Sequence, residues 1–190
     1  MKEKFKQAFE KYYENLSKIY SEVFDSQPTI SYNGEDTEID KDLIISKPNE
    51  DGETAWKLKE VGDYDFSEIE ERLGFTLNEE LKAFYSSYLF LHLAGDYEAD
   101  GKYLTLYFDA LKSQEFIEKR VLLAQKDGNY YFEGTQIFAL GSAVYNDDDT
   151  YVIFYDNKTS KVFIYENDTQ NKIELNDSLI EVISNFEVIL

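Results

Sequence analysis

From Gly95 onward the chain is dominated by stretches with a period of two, and these limit it to folds built around a sheet. In "YLTLYFD" (Tyr103–Asp109), Leu104, Leu106 and Phe108 share one face and Tyr103, Thr105 and Tyr107 the other, the alternation of a half-buried strand. "TQIFALGSAV", "TYVIFYD" and "KVFIYE" follow, the last two joined by the hairpin turn "NKTS", and "NKIEL" adds an edge strand. A sheet of this kind must bury one face against another layer.

Helical stretches provide that layer. Phe5, Phe9, Tyr12, Leu16, Ile19 and Val23 step by three and four, which predicts an amphipathic helix over residues 2–24. In "DFSEIEERLGFTLNEELKAFYSSYLFL", Ser67 with Glu70 and Thr76 with Glu79 fit the capping-box pattern, and Gly74 is placed to end the first helix left-handed. The second helix is expected to bury Leu81, Phe84, Tyr85, Tyr88 and Leu89; without a basic face, the pair is no DNA-reading unit. "SQEFIEKRVLLAQKD" carries Phe116, Ile117, Val121 and Leu122 or Leu123 at helical spacing. "NDSLIEVISNFEVIL" (176–190) predicts a closing helix capped by Asn176 or Asp177, with Leu179, Ile180, Ile183 and Phe186 inward. Before these, "DSQPTISYNGE" is expected to be a loop, and "DLIIS" (42–46) and "TAWKLKEV" (54–61) a charged hairpin.

At 190 residues, with two prolines and no internal repeat, this is an α+β chain of one domain: a mostly antiparallel sheet with helices packed on one face. The absence of Cys excludes disulfides, thiol catalysis and cysteine zinc sites. The N-terminus lacks a signal peptide's apolar core and no run is long enough to span a bilayer, so a cytoplasmic protein is expected.

Charge is the strongest functional signal. The formal net charge is −20. The first helix has five lysines against four acids, while residues 34–71 alone carry −10. Such a chain repels nucleic-acid phosphates and anionic membranes and attracts basic proteins, unless the charge serves solubility alone. In "GDYEADGKYLTLYFD", Asp96, Glu98 and Asp100 alternate; if extended, they line one face at intervals of about 6.6 Å. An EF-hand would need Asp or Asn where Glu98 stands, a bidentate Glu where Tyr107 stands, and a helix afterwards. Neither a metal nor a cofactor is called for. Close carboxylates carry little catalytic information among 39 acids, and the one histidine, His92, fits a structural role beside Leu91 and Leu93. No nucleophile elbow, P-loop or metalloprotease motif occurs.

The remaining reading is a recognition surface for a basic protein. It comprises Asp96, Tyr97, Glu98, Asp100, Tyr103, Tyr107 and Asp109, joined by Asp147, Asp148 and Asp149 of "YNDDDTY". Tyrosines add contact area at small entropy cost. The bland alternative is half-buried sheet tyrosines beside a solvated turn.

"IEERLGFTLNEELKAFYSSYL" resembles the helical signature of the SUKH superfamily, and "IFALGSAVYNDDDTYVIFYDNKTSKVFIYE" is similar to its later core. "AFYSSY" and "LAGDYEADGKYLTLYF", with "DLIISKPNEDGETAWKLKEV" before them, resemble the Syd branch, which interacts with the SecY translocon. The resemblance spans about residues 40–165. It implies an α+β fold and a non-enzymatic, protein-binding role. The implied partner is a basic polymorphic toxin, often a nuclease, held by an immunity protein. In the Syd form it is instead the basic cytosolic loops of SecY.

Overall fold

The computed structural model describes every residue except Asn33, Glu35 and Asn176. Helix α1 (Lys2–Phe24) buries Phe5, Ala8, Phe9, Tyr12 and Leu16. The apolar stripe outruns the layer beneath it: Val23 and Phe24 are exposed, and Asp25, left-handed at φ 52°, closes the helix.

The segment after α1 departs from expectation. Strand β1 (Thr29–Ser31) lies in the predicted loop and pairs antiparallel with β2 (Glu53–Ala55). "DLIIS" is not a strand: it opens with a 3-10 turn over Lys41–Leu43, capped by the Asp40 carboxylate, and touches Trp56 through a single bridge at Ile44. Lys59 explains the curl, since its ammonium binds both Asp40 (2.7 Å) and Asp42 (2.9 Å), drawing the backbone around it. The predicted 54–61 strand divides into β2 and β3 (Lys59–Glu60), and β3 pairs with β4 (Tyr88–Leu89).

Helices α2 (Ser67–Leu73) and α3 (Glu79–Ser87) form, and Gly74 ends α2 at φ 75° as anticipated. Their starts are capped differently from the predicted boxes. Asp65 accepts from the Ser67 amide and hydroxyl, and Asn78 accepts from the Glu80 amide. A side chain just outside the helix reaches these amides, which leaves Glu70 free to accept from Leu77 N at 2.8 Å. Tyr88 and Leu89 leave the helix to form β4.

The main sheet is a six-strand antiparallel meander with one added edge. It comprises β5 (Ala94–Ala99), β6 (Lys102–Phe108), β7 (Ile137–Tyr145), β8 (Asp148–Asp156), β9 (Lys161–Tyr165) and β10 (Lys172–Glu174). Helix α4 (Phe116–Tyr131) is inserted between β6 and β7. The predicted C-terminal helix shrinks to α5 (Leu179–Ser184), followed by β11 (Glu187–Val188), which pairs with β5. Of its expected caps, Asn176 lies outside the described residues and Asp177 bonds elsewhere; Ser178 and Glu181 form a capping box. The helix ends early because Phe186 seats over Gly95, where a Cβ would stand 2.8 Å from the Phe186 side chain, and against the Phe108 ring.

One sheet face, including Leu104, Leu106, Ile153 and Ile164, shares a core with α1, α3, α5 and residues Ile117, Val121 and Ala124 of α4. The opposite face carries a small cluster, Ala139, Phe154 and Phe163, roofed by Tyr131 and Phe132 at the end of α4. Toward β5 that face lies open.

Several phenols are locked in the core. Burial holds Tyr12, Tyr85 and Tyr155 well above the ordinary tyrosine pKa. In the unfolded chain they ionise near 10, so their contribution to stability is complete below about pH 10 and falls as pH rises beyond it. Alkaline titration followed at the phenolate band should show these tyrosines ionising together with loss of the buried Trp56 emission. A smooth phenolate rise completed while Trp56 stays buried would contradict this.

A candidate acidic binding cleft

The meander gathers carboxylates for a geometric reason. Successive hairpins return the chain, so the β5–β6, β7–β8 and β9–β10 turns all fall at one end of the sheet. Asp100–Gly101 (φ 51° and 74°) and Asn146–Asp147 (φ 52° and 61°) are two-residue turns with both φ positive. This backbone matches the twist of the paired strands and suits Asn, Asp and Gly. Asp148 accepts from the amide (3.0 Å) and hydroxyl (2.6 Å) of Thr150, which lower its pKa, the hydroxyl first. Its charge reaches Glu166 on the neighbouring β9–β10 turn. Asp147 and Asp149 are exposed beside it.

Next to these turns, on the β5 edge, lies a cavity of about 220 Å³ lined by Asp96, Tyr97, Glu98, Tyr103, Asp177, Asn185 and Glu187. Asp96 faces Glu187 across the β5–β11 pair and Thr105 across the β5–β6 pair. Thr105 Oγ1 donates to Asp96 Oδ1 at 2.6 Å. Tyr97 is buried, and its hydroxyl donates to the Asp177 carboxylate. Burial first, and then Asp177, push the Tyr97 phenol up, with Asp100 adding to the effect. Tyr103 is 74% exposed at the mouth, opposite Glu98.

The balance of charge singles this cleft out. Two like charges directly opposed across antiparallel strands destabilise the pair, yet Asp96 and Glu187 stand in that relation. Among the described residues, none of the ion pairs involves Asp96, Glu98, Asp177 or Glu187. A larger cleft of about 810 Å³ is lined by Glu38, Asp40, Glu115 and Glu118. There the chain supplies its own cations: Lys119 for Glu38, Lys59 for Asp40 and Arg72 for Glu118.

Of the residues singled out in sequence, Asp96, Tyr97, Glu98 and Tyr103 thus share one cavity. Asp100 and Asp147 sit on turns at the same end of the sheet, and Asp148 and Asp149 open β8 beside them. Tyr107 is on the same open face, farther down β6. Asp109 is placed apart, at the other end of β6, where it pairs with Arg120 of α4. Asp177, Asn185 and Glu187 escape sequence reasoning because residues 176–190 read as one helix. The alternation in "NFEVI" after a helix-ending Asn is the signal that could have revealed them.

The Asp96–Gly101 run that imitates a calcium loop is a strand and a hairpin turn. Among the described residues no group of three or more acids or histidines is placed to hold a metal ion. His92 is half-buried and hydrogen-bonded to the Ile189 backbone; burial lowers its pKa. No described helix is long and apolar enough to cross a membrane. Chemically, the cleft offers carboxylates and a tyrosine to a cation. No protein-family model matches the chain, and no characterised protein matches it in sequence.

Proposed function

We propose that this chain is a non-enzymatic binding module that seats a basic protein on its acidic, tyrosine-flanked cleft and the adjoining turns, acting as an immunity protein for a basic polymorphic toxin. The carrying observation is the opposed Asp96–Glu187 pair, for which no ion pair is formed among the described residues. A cost retained in the free protein is relieved when a partner's Lys or Arg arrives. The likeness to SUKH proteins supplies the toxin as partner class. Co-expression with the toxin encoded beside it is expected to protect cells, and absence of protection removes the immunity reading.

A second reading, a Syd-like regulator binding SecY cytosolic loops, is favoured by the 23-residue α1, which resembles the Syd form. Under it, immobilised SecY loops should retain the protein at low salt and release it as ionic strength passes about 0.15 M, where the screening length falls to about 8 Å. Retention unaffected by salt would contradict an electrostatic seat of either kind.

A further inference from the structure

Glu80 is a carboxylate with 3% exposure and, among the described residues, no ion pair. Burying a charge without a partner is costly unless fixed dipoles replace the water. Glu80 finds them at two helix starts. It is the second residue of α3, and its Oε1 accepts from the Ile180 amide, the second residue of α5, at 3.1 Å. Its Oε2 accepts from the Tyr155 hydroxyl on β8 at 3.1 Å. Negative charge is favoured at both places by the helix dipole. At the other end of α5, Lys11 Nζ donates to the Ser184 carbonyl at 3.4 Å. A six-residue helix is too short to persist alone, so α5 is held from outside at both ends by charges of the fitting sign. The segment around it carries Asp177, Asn185 and Glu187, one wall of the acidic cleft.

We infer that Glu80 is a positioning residue for that cleft: from α3 it fixes the start of α5, and so the wall bearing Asp177, Asn185 and Glu187. The link to recognition rests on the proposed function; the positioning itself does not. Charged groups lining the same region are Lys4, Lys11 and Glu181.

The test is hydrogen exchange of the full chain with Glu80→Gln and Glu80→Asp. The first removes the charge, and the second keeps it but withdraws it from Ile180. In both, exchange across residues 177–188 is expected to rise about tenfold or more, the consequence of weakening a charged hydrogen bond, while β6–β8 stay protected. Uniform acceleration across the sheet would mean a general stability role and overturn the inference, as would unchanged exchange at 177–188. Because no partner is used, failure here leaves the binding proposal standing, and failure of the binding proposal leaves this result intact.

Discussion

Under the proposed function, exchanging Glu98 and Glu187 together for lysine should slow association with a basic protein partner by roughly 10- to 100-fold at low ionic strength, the scale on which focused fields steer encounters. Both residues are exposed and neither is in an ion pair among the described residues. The change also removes the repulsion between Glu187 and Asp96, so the melting temperature should hold or rise slightly even as binding is lost. The matching control is Glu68→Lys with Glu115→Lys, an equal change in net charge at exposed positions away from the cleft. Stopped-flow association over a salt series separates the two variants. Equal slowing in both would mean that only total charge matters, and the cleft would lose its role.

Substituting Gly128 by alanine should cost about 3 kcal/mol or more, at the upper end of what overpacking does. Gly128 is the contact point of α4 on β7. A Cβ there would stand 2.0 Å from the Ile137 carbonyl oxygen and 2.6 Å from its carbon. Both are backbone atoms in a paired strand, so neither can rotate away. For a chain of this size the melting temperature should fall by about 6–12 °C, read through the emission of Trp56, the sole tryptophan and fully buried. The displaced helix end carries Tyr131 and Phe132, whose rings roof Phe154 and Phe163, so the second face should open as well. Gly62→Ala is the contrast: open space surrounds a Cβ there, and reduced freedom of the unfolded chain should leave stability unchanged or raise it by about 0.5 kcal/mol. Equal losses at the two sites would contradict this account.

The elements legible in sequence are those whose pattern repeats over several turns or pleats. The stripe from Phe5 to Leu16, the alternation from Tyr103 to Phe108 and the left-handed Gly74 each follow from local rules. Short pieces are less legible, because a few residues of apolar sequence fit more than one conformation. Ile44 and Ile45 have strand propensity, but the Lys59 ammonium between Asp40 and Asp42 decides their course. Likewise, Phe186 has helical spacing from Ile183, but the notch at Gly95 seats it outside the helix, just before β11.

Sequence by itself determined the α+β class, the helix and strand periodicities and an acidity that favours basic partners, since composition and period act locally and need no partner. The tertiary structure decided which acids meet. It paired Asp109 with Arg120 and brought Glu187 and Asp177 beside Asp96 and Glu98. It also supplied cations to Glu38, Asp40 and Glu118 of the larger cleft, while among the described residues these four are in no ion pair. Coulomb energy depends on distance in space, and distance in space is set by which strand closes the sheet edge, a choice made by packing.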